Sequence, residues 1–278
     1  MGRLILNADD FGLTAGVNRA VLELHQAGAL TSATLMARAA ATEEAIQLAC
    51  ATPTLGVGCH VVLVDGEPVL PARNIPTLAP RSGRFHPTLG AFLGALFTGR
   101  IRSSEIEAET VSQIALLQSK GVKLTHIDTH KHAHIFPAVL RPVLRAAKAA
   151  GIHAIRNPFE PAWSRRATRG ASVIRRAEVS LLHLLEPAFR RIVAEEGFTT
   201  TSGALGVLAT GSLNGARLNA LLGNLPDGTW ELVTHPGYND ADLARAHTRL
   251  LASREMEREA LAALHLNDGI ERIDFSRL

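Results

Sequence analysis

The sequence predicts an α/β fold: an irregular (β/α) TIM-like barrel of parallel strands, one domain over residues 1–278. Three observations predict it. Short apolar, β-branched runs alternate with stretches of helical period, the pattern of repeated βα units. Four of those runs end in acids or histidines: Asn7-Ala8-Asp9-Asp10-Phe11-Gly12, Gly58-Cys59-His60, the segment 126–134, and Thr234-His235-Pro236-Gly237. Helix-covered parallel strands present their C-terminal ends to one face, where such folds carry chemistry. Chemistry at several separate strand ends favours closure, because an open sheet concentrates its site at one switch point.

The elements follow in order. Residues 4–8 read as a strand. A helix over 14–27 has Thr14 as its cap, Val17, Val21 and Leu24 on one face, and Gly28 as its stop. Residues 31–37 read as a strand, 42–51 as a helix closed by Pro53, and 55–63 as a strand. The Pro/Gly-rich stretch 65–87 is too long for a bare βα connection. Insertions are expected near 65–104 and 160–200. Ser104 and Glu107 spell a capping box for a helix running to Lys120, with Gly121 as its stop. Residues 122–127 form a strand. A helix over 137–150 carries Pro137 in its first turn and a kink at Pro142. Residues 152–155 form a strand, and 171–196 a long helical stretch interrupted at Pro187. Strands at 205–208 and 230–234 flank a short helix near 214–222. A helix over 253–265 and a strand over 270–275 complete the chain.

With 278 residues, 46% hydrophobic, the chain has ample apolar material for a core. The net charge of +3 and pI of 9.2 reflect Arg over Lys rather than a large basic excess, so no nucleic-acid partner is expected. Cys50 and Cys59 form neither a CxxC pair nor a disulfide framework, which fits a reducing cytosol. Cys59 points away from His60 across the strand and reads as core. The N-terminus lacks a signal-peptide pattern, and no apolar run reaches the ~20 residues of a membrane span. The expected location is cytoplasmic.

Two carboxylates and several imidazoles on one face make a divalent-metal site with acid and base partners. Adjacent Asp9 and Asp10 repel each other until a cation, base or proton relieves them. One can hold the metal while the other, turned the opposite way, serves as a base. His60 is weak alone and gains weight from company. In 126–134, strand alternation would crowd five polar residues onto one face, so the strand ends near Asp128. His130 is then the chosen ligand, Asp128 orients an imidazole through its free N–H, and His132 and His134 meet substrate or solvent. His235, with a free pKa near ~6.5, suits protonation of a leaving group at neutral pH. His25, His86, His153, His183, His247 and His265 read as structural or surface. There is no Walker loop and no nucleophile elbow. Between Trp163 and Arg191, seven arginines surround an apolar face of Ile174, Ala177, Leu181, Leu184, Leu185 and Ala188. A solvated helix is favoured there, with a membrane-facing patch kept open.

At these residues the chain resembles the YdjC-like carbohydrate deacetylases, which include chitooligosaccharide deacetylases. The matching segments are 7–13, 56–63, 125–134 and 235–238. They span nearly the whole chain in the family's order. Cys59 departs from the family's usual apolar residue and leaves His60 unaffected. The resemblance implies an irregular (β/α) barrel and one divalent metal, Mg²⁺ or Zn²⁺, held by Asp10, His60 and His130. It implies Asp9 as general base and, by analogy, His235 as general acid, removing an N-acetyl group from an amino sugar as acetate. His126, Asp128, His132, Tyr238 and Arg156 fall in supporting or substrate-contacting places. Segments 64–71 and 156–161 look like the hopanoid-biosynthesis branch, whose substrate class is an N-acetylglucosaminyl hopanoid. The implied partner is an amino sugar or glycolipid. Contact with the inner membrane face and a homodimer are left open. The rivals are a two-metal phosphoesterase and a catalytically silent sugar-binding protein.

Overall fold

A computed structural model describes residues 2–80, 83–168, 172–223, 225–246, 248–266 and 269–278. The strands are β1 (Gly2–Phe11), β2 (Ser32–Leu35), β3 (Gly56–Val61), β4 (Leu124–Thr129), β5 (Ala154–Ile155), β6 (Thr199–Thr200), β7 (Gly203–Leu205), β8 (Gly228–Thr234) and β9 (Glu271–Arg272). Every pairing is parallel. The order is β6-β5-β4-β3-β2-β1-β8-β7, with β9 beside β1. The sheet curls into an irregular half-barrel whose hydrogen-bonded path ends at β6 and β7. The helices are α1 (Ala15–Gln26), α2 (Thr42–Ala51), α3 (Leu89–Phe97), α4 (Ser103–Ser119), α5 (Pro137–Ala149), α6 (Ala162–Ala167), α7 (Val173–Leu182), α8 (Glu186–Glu195), α9 (Gly215–Leu222), α10 (Ala241–Arg245) and α11 (Ala252–Ala262).

Strand alternation sorts the chain into two environments. Leu4, Leu6, Ala8, Ala33, Leu35, Val57, Cys59, Val61, Ile127 and Leu232 join the main core beneath the helices. The alternate residues meet inside the barrel. At its floor, Ile5, Ala154, Ile273 and Phe275 form a small apolar plug. Above it the buried lining is polar: Asn7, Asp9, Ser32, Thr34, His60, His126, Asp128, Arg156 and Glu231. Burial of so many polar groups requires that each find a partner, which fixes their mutual geometry.

The insertion after β3 is tied down by acids on α4. Glu105 accepts N–H bonds from Thr77 (2.7 Å) and Leu78 (3.0 Å), and Glu109 accepts them from Val69 (2.7 Å) and Leu70 (3.0 Å). The expected capping box is absent. Arg102 is the N-cap without a side-chain bond, and Glu107 instead holds Arg145 at 2.7 Å. The Arg102 N–H donates instead to Thr77 Oγ1 of the insertion at 3.0 Å. Helix α5 runs on through Pro142. The stretch expected as one helix over 171–196 is α7, a tight turn at His183–Leu185, and α8 with Pro187 in its first turn. That turn breaks the helical period, so Leu182 and Leu185 pack on the core while Leu181 and Leu184 stand 67% and 74% exposed. Arg169, Ala171, His247 and the side chain of Ile174 lie outside the described residues. Strand β7 falls just before the expected 205–208, and 270–275 holds only the two-residue β9 followed by a turn at Phe275–Arg277.

Gly58 makes room for the ring of His126, which a Cβ there would meet at 2.5 Å. The ring stacks on Phe275 with centroids 3.7 Å apart. Gly58→Ala is expected to cost about 1–3 kcal/mol of unfolding free energy through overpacking, measured by urea denaturation.

Candidate active site

The parallel register of β1 on β2 shifts between Ala8 and Phe11. Asp10 sits in that irregularity with φ of 62°, a left-handed conformation a non-glycine residue holds at a cost of about 1–3 kcal/mol. The strand persists to Phe11, so the two acids occupy a bulge rather than the expected turn. The bulge sends the two carboxylates to different partners. Asp9 enters the barrel and Asp10 reaches its rim.

Asp10 Oδ1 lies 3.4 Å from His60 Nε2 and 3.3 Å from His130 Nδ1, and those two nitrogens are 3.2 Å apart. Asp10 Oδ1 is buried yet accepts no well-formed hydrogen bond. His60 is oriented from behind: Asp128 Oδ1 pairs with its Nδ1 at 2.8 Å, and Thr34 Oγ1 lies 3.2 Å from the same nitrogen. Three donor atoms with edges of this length match a cation about 2.0–2.2 Å from each. The electrostatics agree. Although burial opposes charge on His60, the nearby Asp128, Asp10 and Asp9 push its pKa up to about 10. The pocket demands positive charge, and a proton or a divalent cation can satisfy it. Asp9, His60 and Asp128 also bring donor atoms together. Their carboxylates, however, are occupied by Arg156, so the Asp10 set is the one with a free oxygen.

Arg156 follows β5 and is fully buried. It donates to both Asp9 oxygens (2.6 and 2.9 Å), to Glu231 through Nε (2.7 Å), and pairs with Asp128. Asn7 Nδ2 and Thr34 Oγ1 add bonds to Asp9 Oδ1 at 2.9 and 3.1 Å. Burial alone would raise the Asp9 carboxyl. The Arg156 guanidinium beside it, with His60 and His235, instead holds it well below the usual carboxylate range. His235, 12% exposed at the end of β8, brings Nε2 to 3.7 Å from Asp9 Oδ2. Its backbone N–H donates to Glu257 Oε2 at 2.6 Å, and its peptide bond to Pro236 is trans. The expected neutral-pH titration of His235 does not survive: burial holds it down to about 4.

The structure thus gathers Asp9, Asp10, His60, Asp128, His130 and His235. Of the residues expected in supporting or substrate-contacting places, His126 and Arg156 take supporting ones and Tyr238 stands outside the site. His126 and Arg156 are sealed from solvent, the first against the floor and the second among carboxylates. Tyr238 donates its hydroxyl to Glu23 at 2.6 Å and lies between Arg19 and Arg258, on the outer helices. His132 is half-buried, with a left-handed backbone and Nδ1 unpartnered, while His134 is buried with Nδ1 on Thr129 Oγ1 at 2.7 Å. Sequence reasoning missed Glu231, Arg254 and Glu257. Glu231 carried a signal, a lone acid in an apolar strand. The α11 residues carried only an i, i+3 spacing, common on any surface helix.

A family model described as YdjC-like protein matches residues 3–272. A carbohydrate deacetylase of Geobacillus stearothermophilus is 34% identical over 86% of this chain and 81% of its own length. The human carbohydrate deacetylase is 31% identical over 85% and 75%. One from Brevibacillus brevis reaches 43% identity, but there the match spans only 56% of the relative and 52% of this chain. A solved Enterococcus faecalis structure described as a putative cellobiose-phosphate cleavage protein superposes with a TM-score of 0.76 over 99% of this chain and 98% of that one. At 24% identity that likeness supports the fold.

The buried groups set a pH dependence. Burial holds His126 and His132 down to about 3, and His134 and His235 down to about 4. It pushes Glu231 and Glu257 up to about 7. Between about pH 5 and 6 the unfolded chain binds protons on those histidines that the folded chain refuses. The folded chain retains protons on the two glutamates that the unfolded chain has lost. Burial raises Glu109 and Glu160 as well, but by less, so the four strongly shifted histidines dominate and stability of the metal-free protein rises with pH across this window. Urea midpoints at pH 5 and 6 check the sign.

Proposed function

Because the chain belongs to the YdjC-like protein family, we propose that it is a metal-dependent carbohydrate N-deacetylase that releases acetate from an N-acetylated amino sugar. One observation carries this reading: an unsatisfied carboxylate oxygen and two imidazole nitrogens, 3.2 to 3.4 Å apart, lie beside an arginine-held carboxylate and a histidine. Asp10, His60 and His130 would hold the cation. Two imidazoles with one carboxylate oxygen favour Zn²⁺ over the oxygen-seeking Mg²⁺. Bound there, the cation would supply Lewis-acid chemistry, polarisation of an acetamide carbonyl and a more acidic water.

The chain's own groups then move the proton. Arg156 keeps Asp9 ionised and fixes its position, so the carboxylate is available to take a proton from the attacking water. The same clamp makes Asp9 a weak base, and it passes the proton on readily. His235 is neutral at pH 7, so it acquires its proton during turnover from the Asp9 side, 3.7 Å away. From Nε2 it protonates the departing amine. Glu257 keeps the ring in place through the backbone bond.

The finer substrate is an N-acetylglucosaminyl hopanoid, with chitooligosaccharides as the alternative. Exposed Leu181 and Leu184 among arginines support a lipid-linked substrate. The branch-like segment 156–161 weighs less, since Arg156 and Glu160 are buried and serve the scaffold. Among the described residues no helix is long and apolar enough to cross a membrane.

Acetate release from N-acetylglucosaminyl lipid and from chitobiose, with and without chelator, tests both levels. Chelation is expected to abolish release and Zn²⁺ to restore it. Equal rates with and without metal would refute the mechanism, and preference for chitobiose would move the substrate to the alternative. Asp9→Asn and His235→Gln are each expected to lower kcat at least about a hundredfold. Since His235 works from its neutral form, kcat/KM should hold level down to about pH 5 and decline only below that. An acid limb near pH 6.5 would contradict the shuttle.

A further inference from the structure

Helix α11 grips both halves of the site from outside the barrel. Arg254 and Glu257, one turn apart, are each 1% exposed. Glu257 holds the His235 backbone. Arg254 Nη2 donates to Asp10 Oδ2 at 2.5 Å. Its Nε donates to the Leu250 carbonyl at 3.1 Å, its own carbonyl accepts the Gly237 N–H at 3.2 Å, and Nη1 has no hydrogen-bond partner. Among the described residues, Asp10 is therefore the one side chain that the guanidinium hydrogen-bonds. The two oxygens of Asp10 are divided, Oδ2 to Arg254 and Oδ1 toward His60 and His130.

We propose that Arg254 is a positioning residue that confines Asp10 to a single metal-ligand oxygen and keeps the cation more loosely held than the bare donor set would hold it. The inference rests on the metal reading above. A free carboxylate beside a divalent cation can offer both oxygens, and Arg254 occupies the second one. A buried guanidinium also repels a neighbouring cation with little solvent screening. Both effects weaken binding, and the first leaves a coordination position open for substrate. Removing Arg254 therefore raises metal affinity while lowering turnover. Simple damage to the site would lower both.

The test strips the enzyme of metal and titrates Zn²⁺ into wild type and Arg254→Met against a chromophoric chelator. Circular dichroism reports folding, and acetate release reports turnover. The expected result is Zn²⁺ binding at least about tenfold tighter in the variant, with kcat reduced at least about tenfold. A folded variant with unchanged or weaker Zn²⁺ affinity overturns the proposal. Should Arg254→Met not fold, Arg254→Gln keeps a donor without the charge and carries the same two outcomes. Asp10→Asn separates the levels. If it leaves Zn²⁺ affinity intact, the ligand assignment itself has failed. If it abolishes binding while Arg254→Met leaves affinity unchanged, only the Arg254 role has failed.

Discussion

One guanidinium holds the barrel interior together. Arg156 is shared among Asp9, Asp128 and Glu231, three carboxylates that would otherwise be buried within contact of one another. Its pKa is pushed well above the ordinary value by those acids, although burial alone would lower it. Taking one partner from such a cluster leaves an uncompensated charge in a low-dielectric interior, which costs far more than a surface ion pair contributes. The clamp therefore fixes where β1, β4, β5 and β8 present their side chains. The site inherits that rigidity, since Asp9 and the His60 support both end on the same arginine.

The charge balance also supports the proposed cation at the rim. Around His60 the carboxylates of Asp9, Asp10 and Asp128 outnumber the fixed cations, and Arg254 answers only one of them. The surplus appears as a histidine held in its charged form and as a carboxylate oxygen without a hydrogen bond. A divalent ion would displace the proton and satisfy the oxygen together. Structural and chemical roles are thus layered along the barrel axis. Phe275 and His126 close the floor, Arg156 balances the middle, and the open donors lie where the strands end.

Much of this arrangement was legible in the sequence, for physical reasons. Parallel strands impose a common face, so acids and histidines at four strand ends had to converge. Alternation correctly sent Cys59 outward and His60 inward. Side chains beyond the strand period were less accessible. Arg156 and Tyr238 adjoin the site in sequence, but one turns into the barrel and the other onto α1, a choice made by tertiary partners. Arg254 and Glu257 belong to a helix whose buried acid and base have the spacing of any surface pair. Only the fold reveals that they face Asp10 and His235. The His235 pKa was missed because burial, which no local pattern records, outweighs the neighbouring carboxylates.

The central claim is that Asp10, His60 and His130 share one cation. X-ray diffraction from Zn²⁺-loaded crystals, recorded at the zinc absorption edge, tests it directly. The account requires a single anomalous peak about 2.0–2.2 Å from Asp10 Oδ1, His60 Nε2 and His130 Nδ1. A peak held instead by Asp9 and Asp128, or no peak at the strand ends, would contradict it.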